Sequence, residues 1–250
     1  VLIFGIRALV LTAVCVATCV AAEALFCVIA RKPIPVGDLS AVVTGMLLAF
    51  NLPVTTGFVG EGILLACLDR PEVEKVLSVS RRPCEISHPK LEEYIVEDFM
   101  TLPVDDPKLQ GYDACFFCAG KSNIGMSKED YYHLSYEITM HFAKAIGPKR
   151  EFVFIYVSGA GTSETSRQFW SQTKSKTERD LRELPFKAAY GFRPAGMKPY
   201  KGQKRLQGWG KYHWLFTWIP GFSNTIEEVA KAMISCVKHG YSEPIVGVKD

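Results

Sequence analysis

The stretch Thr56-Gly57-Phe58-Val59-Gly60-Glu61-Gly62, followed by the apolar run 63–68, decides the fold of this chain. It combines a glycine-bearing turn with the start of an apolar helix. Because glycine has no Cβ, the backbone N–H groups at the start of such a helix can approach a pyrophosphate closely. The sequence therefore predicts a helix over 60–68 that is preceded by a phosphate-binding turn.

The residues after this turn continue a nucleotide-binding pattern. An apolar strand is predicted over 75–80, a basic pair follows it, and a second strand over 94–96 leads to Asp98. That order is the one that a nucleotide-binding βαβ unit needs. On the N-terminal side the pattern is broken, because the spacing G-x-x-G-x-x-G places Val54 where the first glycine belongs. The first strand of the domain thus looks replaced by another sequence.

Composition sets broad limits on the class of protein. The chain has 250 residues, a formal net charge of +3 and eight cysteines, most of them within apolar runs. Its length allows a large core, and its charge indicates no polyanionic partner, so we expect no binding of nucleic acid. The cysteines form no disulfide framework, which favours a reducing compartment for the globular part.

The first segment differs from the rest of the chain. Residues 8–30 carry one charge, Glu23, and are followed by Arg31-Lys32. The run is long enough to cross a bilayer. A signal peptide is the rival interpretation, but the apolar run resumes past Glu23, which favours a membrane helix. The basic pair places the following chain on the cytoplasmic side, so we predict a cytoplasmic globular domain tethered to the inner membrane.

Residues 1–38 are therefore predicted to be a membrane helix and linker, and residues 39–250 a globular domain. The apolar run 39–52 is short for a membrane span. It is either an incomplete second span or a makeshift first strand over 46–54 that leads into the glycine turn. Pro53 lacks the N–H that a ladder bond needs, so we expect strand pairing to fail at or before Pro53.

The remaining sequence alternates between strands and helices. Strands are predicted over 113–120, 151–158 and 188–193, and helices over 129–146, 168–184 and 225–239. Such alternation predicts an α/β fold, a Rossmann-type doubly wound parallel sheet with helices on both faces. Ligands bind at the carboxyl ends of the strands in such sheets, and the glycine turn, the basic pair, Ser158 and Pro194 all fall there.

Over residues 55–250 the sequence resembles an atypical short-chain dehydrogenase/reductase of the NAD(P)-binding, epimerase-like kind. The resemblance rests on the glycine turn and on the stretches 113–120, 156–161, 174–178 and 192–196. It implies a nicotinamide dinucleotide as cofactor. The cofactor-binding residues that it implies are Thr56, Gly57, Phe58, Val59, Gly60, Arg81, Arg82, Asp98, Ala119, Gly120, Lys121 and Pro194.

Residues 1–54 resemble a different family. The stretch 37–53 looks like a membrane segment of the D subunit of Rnf-type ion-translocating electron-transport complexes, and only a fragment of such a protein is covered. The flavin-attachment motif of that family is not seen. The two resemblances meet at Val54-Thr55. A natural fusion and a splice of two genes both remain open.

In the dehydrogenase family a Ser-Tyr-Lys set faces the nicotinamide, and its implied members here are Ser158 and Lys174. The tyrosine would stand four residues before the lysine, but position 170 is Trp. An indole has no phenolic hydroxyl to transfer a proton, so coupled hydride and proton transfer is doubtful. The alternatives are a plain turn serine at 158 and a solvated helix lysine at 174.

The pair Arg81-Arg82 directly follows the strand predicted over 75–80. Arginine at this place recognises a 2′-phosphate, whereas an acid would bind the ribose hydroxyls. We therefore expect NADP rather than NAD, with NAD as the alternative, and an exposed basic turn as the alternative role of the pair. Asp98 would meet the adenine edge or else be a surface loop acid.

Three functions remain open from the sequence. The first is an oxidoreductase or epimerase that acts on a small carbonyl or sugar-like substrate. The second is a dinucleotide-binding sensor or scaffold that has lost turnover, which Trp170 favours. The third is a membrane electron-transport component. We expect no metal site, because Cys115 and Cys118 lie three residues apart on a strand and point to opposite faces. Nothing in the sequence selects a substrate or an oligomeric state.

Overall fold

A computed structural model describes residues 57–120, 123, 125–194, 196–204 and 223–247. The chain divides into two compact units, Val1–Pro53 and Val54–Asp250, and every described residue belongs to the second. The membrane helix predicted over 8–30 and the strand predicted over 46–54 lie outside the described residues. Within the described part, no helix is both long and apolar enough to cross a bilayer.

The predicted helices and strands of the described chain occur in the predicted order, and three short strands that were not predicted follow the last predicted strand. The helices are α1 (Phe58–Leu68), α2 (Lys128–Tyr132), α3 (Ile138–Ile146), α4 (Phe169–Arg182) and α5 (Ile226–His239). The strands are β1 (Val76–Ser80), β2 (Leu91–Ile95), β3 (Ala114–Phe117), β4 (Val153–Val157), β5 (Ala188–Phe192), β6 (Gly196–Lys198), β7 (Ser223–Thr225) and β8 (Ile245–Val246).

All of the strand pairs in the described residues are parallel. Strands β3, β4, β5 and β8 form a four-stranded sheet in that order, whereas β1 pairs with β2, and β6 with β7. Side chains alternate between the two faces of β4: Val153 and Ile155 pack on the side of α1 and α5, Phe154 and Tyr156 on the side of α3 and α4. The sheet is thus covered on both faces, and the predicted α/β Rossmann-type fold is confirmed.

The strand order leaves a place between β1 and β3, which do not pair with each other in the described residues. In a doubly wound sheet the first strand lies between the second and the fourth. Strands β1 and β2 correspond to the second and third strands of that order, and β3 to the fourth. The strand predicted over 46–54 lies outside the described residues, so its place in the sheet stays a prediction.

The helix predicted over 129–146 is interrupted by a π-helical turn, His133–Glu137. The buried carbonyl of Ser135 accepts hydrogen bonds from Thr139 Oγ1 (3.0 Å) and Thr177 Oγ1 (3.2 Å) and a long one from the Tyr156 hydroxyl (3.4 Å). These hydroxyls come from this helix, from α4 and from β4. They satisfy a backbone oxygen at the site of the π-helical turn.

Other element boundaries differ from the prediction by a few residues. Strand β2 begins at Leu91, three residues before the predicted start, and it is largely exposed on one face. Helix α5 begins at Ile226, because Thr225 caps it: its hydroxyl accepts from the Glu228 N–H, and the Glu228 carboxylate accepts from the Thr225 N–H. Such a capping box satisfies two N–H groups that the helix leaves unpaired.

Candidate functional site

The glycine turn forms the start of helix α1. The carbonyl of Gly57 accepts from the Glu61 N–H (3.1 Å), which opens the helix. Phe58 is buried, and a Cβ at Gly60 would lie 3.6 Å from the Cβ of Cys118, directly after β3. The first N–H groups of a helix have no acceptor within it and carry partial positive charge. The structure therefore places the start of α1 beside the carboxyl end of β3, and the phosphate contact of the turn stays a prediction.

Small residues leave the chain open directly after β3. Ala119 is exposed, and a Cβ at Gly120 would meet no atom of the described residues within 4 Å. Half-buried Val59 lies in the first turn of α1, near the same edge. The predicted binding residues Thr56 and Lys121 lie outside the described part of the chain.

The basic pair Arg81-Arg82 follows β1, as predicted. Both residues are exposed. The Ser80 hydroxyl donates to the Arg82 carbonyl (2.6 Å) and so stabilises the turn that contains the pair. Within the described chain, neither guanidinium has an ion-pair partner. Both remain able to pair with an external phosphate.

The carboxylate of Asp98 serves a local purpose after β2. Its Oδ1 accepts from the Met100 N–H (2.9 Å), and its carbonyl accepts from the Thr101 hydroxyl (2.7 Å). These bonds cap the 3₁₀ turn Phe99–Thr101. Asp98 is exposed, and the adenine contact that the resemblance implies stays a prediction.

Ser158 lies at the end of β4 with 8 % of its surface exposed. Its hydroxyl donates to Glu178 Oε1 (2.6 Å) and lies 3.0 Å from the hydroxyl of Thr162. Its N–H donates to the Phe192 carbonyl (2.8 Å) on β5. The hydroxyl proton of Ser158 is thus already used within the protein.

Lys174 reaches the same strand end from helix α4. Its Nζ donates to the carbonyls of Ser158 (2.7 Å) and Val157 (3.3 Å) and lies 5.2 Å from the ring centre of Tyr156. Burial lowers the pKa of Lys174 to about 8, and the charge of Glu178 opposes that shift. The structure therefore brings together the two residues for which the resemblance implies a catalytic role.

Trp170 occupies the place of the family's tyrosine on α4. Its Nε1 donates to Gln168 Oε1 (2.6 Å), and a Cβ at Gly161 would lie 3.7 Å from its ring. Tyr156, the nearby phenol, is 1 % exposed, and burial raises its pKa far above the usual range. Tyr156 is therefore a core residue, and its phenol is held away from the surface.

Two residues at this site were missed from the sequence. Glu178 is 2 % exposed and accepts from Arg193 through Nε (3.0 Å) and Nη2 (2.5 Å). A Cβ at Gly191 would lie 2.8 Å from the Glu178 carboxyl carbon, so glycine is needed there. The available signals in the sequence were an acid one helical turn after Lys174 and an arginine directly before Pro194.

The predicted site residue Pro194 is half-buried, and its carbonyl accepts from the Ala160 N–H (3.0 Å).

The cysteines of β3 behave as apolar side chains. Cys115 packs on the face of α3 and α4, and Cys118 on the face of α1 and α5, as the strand period requires. Burial raises the pKa of Cys118 to about 12 and that of Cys115 well above its usual range. The described residues contain no cluster of three or more metal-ligating side chains.

The N-terminal part of the chain matches other proteins than the globular part does. A model of the NQR2, RnfD, RnfE family matches residues 1–61. The D subunit of the Na(+)-translocating ferredoxin:NAD(+) oxidoreductase complex of Acetobacterium woodii is 50% identical over 68 residues, which are 26% of this chain and 21% of that protein. This chain thus spans about a fifth of that relative's length, and the resemblance drawn for residues 1–54 is confirmed.

Other relatives cover the globular part. Leucinostatins biosynthesis cluster protein T of Purpureocillium lilacinum is 29% identical over 133 residues, 52% of this chain and 49% of that protein. This chain therefore spans about half of that relative. Protein FMP52, mitochondrial, of Debaryomyces hansenii is 29% identical over 203 residues, 76% of this chain and 86% of that protein.

Solved structures share the fold at low sequence identity. The PhqB reductase domain from Penicillium fellutanum has a TM-score of 0.56 and 16% identity, over 78% of this chain and 65% of that one. An oxidoreductase of the short-chain dehydrogenase/reductase family from Burkholderia thailandensis gives 0.57 and 15%, over 77% and 87%. UDP-glucuronic acid 4-epimerase from Bacillus cereus, in complex with NAD, gives 0.57 and 12%, over 77% and 75%. The fold implied by the resemblance of residues 55–250 to short-chain dehydrogenases/reductases is confirmed.

Proposed function

We propose that residues 39–250 form a dinucleotide-binding domain of the short-chain dehydrogenase/reductase kind that prefers NADP(H) to NAD(H). The observation that carries this proposal is the glycine turn Gly57–Gly60 at the start of α1, packed beside the open chain after β3. A helix start without Cβ atoms suits a pyrophosphate. The Bacillus cereus epimerase, whose fold is similar, is in complex with NAD.

Residues near the carboxyl ends of the strands are available for the other contacts with the dinucleotide. The pair Arg81-Arg82 would hold the 2′-phosphate, Asp98 the adenine edge, and Lys174 the nicotinamide ribose. Ala119, Gly120, Lys121 and Pro194 would line the path between them. A bound nicotinamide ring supplies hydride transfer, whereas the protein supplies binding and orientation.

The test is a calorimetric titration of the full chain with NADPH and with NADH. We expect NADPH to bind about tenfold more tightly, because one charge-assisted phosphate contact contributes about 1.4 kcal/mol or more. The double variant Arg81→Ala, Arg82→Ala should lose that preference. The matched control is Lys149→Ala, Arg150→Ala, an exposed basic pair that precedes the amino end of β4, whereas Arg81-Arg82 follows the carboxyl end of β1. Equal affinities in the native protein would refute the preference for NADP.

Two candidate functions differ in the chemistry that accompanies binding. In the first, the protein is an oxidoreductase or epimerase on a small carbonyl or sugar-like substrate, as the reductase and epimerase folds of its structural relatives suggest. In the second, it is a dinucleotide-binding sensor or scaffold without efficient turnover. The second is favoured by two observations: Trp170 has no hydroxyl, and the Ser158 hydroxyl donates to Glu178.

We further propose that residues 8–30 tether the domain to the cytoplasmic face of the inner membrane. The N-terminal match to a component of Rnf-type complexes supports this tether, and it also supports a third candidate, a membrane electron-transport component. Extraction of membranes from cells that express the full chain tests the tether. The protein should stay in the membrane pellet after an alkaline carbonate wash, and release by that wash would exclude a spanning helix.

A further inference from the structure

Ser158 is attached to helix α4 at two points. Its carbonyl accepts from Lys174 Nζ (2.7 Å), and its hydroxyl donates to Glu178 Oε1 (2.6 Å). Lys174 and Glu178 are four residues apart on one helix, so their side chains leave the same face one turn apart. The end of β4 is therefore held between a cation and an anion of α4.

Glu178 also connects α4 to β5. Its carboxylate is almost fully buried and accepts two hydrogen bonds from Arg193, directly after β5. A buried carboxylate requires such partners, because an unpaired one costs several kcal/mol. Gly191 leaves the space that the carboxylate fills, since a Cβ there would lie 2.8 Å from it. One side chain thus fixes the ends of two neighbouring strands against the helix.

The position of this ion pair distinguishes it from a surface contact. Buried ion pairs are weak sources of stability compared with apolar packing, so a purely stabilising role explains little of the arrangement. The groups that face Lys174 are Glu178 on its own helix and, on β4, Tyr156, which in turn lies beside Tyr131 of α2. Arg193 approaches from β5 through its bonds to Glu178. Among these groups Glu178 is the one anion.

We propose that Glu178 is a positioning residue for Lys174: it anchors Ser158 so that the Ser158 carbonyl holds the Lys174 ammonium at the end of β4. This inference rests on the proposed function, in which Lys174 binds the nicotinamide ribose. It also changes the role assigned to Ser158. The hydroxyl of Ser158 donates inward to Glu178, so Ser158 supports the lysine instead of donating to a ligand.

The test is Glu178→Gln in the full chain, with two measurements. The first is the pH dependence of acetylation of Lys174 by acetic anhydride in the ligand-free protein, followed by mass spectrometry. The second is the affinity for NADPH from neutral pH to above the pKa of about 8. Glutamine keeps the shape but removes the charge that opposes deprotonation. We expect the midpoint of Lys174 to fall by about one pH unit and the affinity at pH 8 to fall about fivefold, because the charged fraction of the lysine falls by that factor.

Asp180→Asn is the matched control on the same helix. Asp180 is paired with Lys176 and with the Tyr136 hydroxyl on the other side of α4, so its loss should leave the Lys174 midpoint unchanged. Glu178→Asp keeps the charge but shortens the reach to Ser158. Glu178→Asp should keep the Lys174 midpoint near the native value and still weaken NADPH binding. This variant keeps the proposal testable if Glu178→Gln does not fold.

The outcomes separate this inference from the function on which it rests. An unchanged Lys174 midpoint in Glu178→Gln, or native NADPH affinity in both Glu178 variants, would overturn the positioning role. A native protein that does not bind NADPH would instead refute the proposed function. The acetylation profile, which needs no ligand, would still decide whether Glu178 controls the charge of Lys174.

Discussion

The two ends of the candidate site differ in whether their polar groups are exposed or hydrogen-bonded within the protein. Around α1, β1 and β3, the Arg81-Arg82 side chains are exposed, and a Cβ at Gly120 would meet no described atom within 4 Å. Around β4, α4 and β5, the polar groups of Ser158, Lys174 and Glu178 all bond to other groups of the protein. The first end is open to a ligand, whereas the second is already satisfied internally.

This difference follows from burial. Exposed polar groups at the open end are hydrated and can exchange water for a ligand at little cost. At the closed end the carboxylate is nearly inaccessible, so each polar group needs a partner from the protein. We therefore propose that the open end can bind a dinucleotide, whereas the closed end, where Trp170 stands, has no phenolic proton donor. Substitutions at each end test whether the two ends behave as differently as their burial implies.

The largest effect is expected from Gly191→Ala at the closed end. A Cβ there would collide with the buried Glu178 carboxylate at 2.8 Å and separate it from Arg193. We expect a loss of about 3 kcal/mol or more in the free energy of unfolding, since a buried charge would lose its partner. Chemical denaturation measures this loss. A variant as stable as the native chain would show that the carboxylate has room to move.

Trp170→Tyr should change turnover at the same end. A phenol one turn before Lys174 restores a group that can transfer a proton, and general acid catalysis contributes about 100-fold or more. We expect the native protein to reduce simple ketones with NADPH slowly or not measurably. The variant should raise the rate by about that factor. Brisk reduction by the native protein would show that another residue supplies the proton.

Substitution of two glycines on α1 tests the open end. A Cβ at Gly62 would lie 2.6 Å from both Gln203 Oε1 and Ile226 Cδ1, whereas one at Gly60 would make an ordinary contact. Gly62→Ala should therefore cost about 2 kcal/mol of stability through overpacking. Gly60→Ala should leave stability intact but weaken NADPH binding, because its Cβ blocks the approach to the helix start. Thermal unfolding and calorimetry separate the two effects, and equal behaviour would contradict the assignment.

The sheet, the π-helical turn and the Glu178–Arg193 pair show what the sequence can and cannot predict. The alternation of strands and helices, the sheet and the place of the glycine turn follow from local patterns of apolar residues and glycines. The π-helical turn depends on hydroxyls from α4 and β4 that bond to Ser135. The Glu178–Arg193 pair likewise joins residues from different elements. Such contacts are set by the tertiary arrangement, so no local period reveals them.

The smallest effect concerns the pH dependence of stability. The pKa of Lys174 is about 8 in the folded protein, below the ordinary value of 10.5. Between these values the unfolded chain binds a proton that the folded chain lacks, so this lysine makes the free energy of unfolding rise with pH. Relative to Lys174→Met, the native protein should gain about 1–2 kcal/mol over that interval. Lys176→Met, on the side of α4 that faces Tyr136, should show no such change over the same interval. If the difference in stability between the native protein and Lys174→Met also stays constant with pH, the pKa of Lys174 lies near its ordinary value.

The central proposal is that the chain would bind NADP(H) at its open end and lacks an efficient proton donor at its closed end. Both halves of that statement can be examined in one calorimetric experiment, in which NADPH is titrated into the full chain and a mixture of simple aldehydes and ketones is then added. We expect saturable binding heat followed by little or no heat of turnover. The absence of binding heat, or a sustained heat of reaction once the carbonyls are present, would contradict the statement.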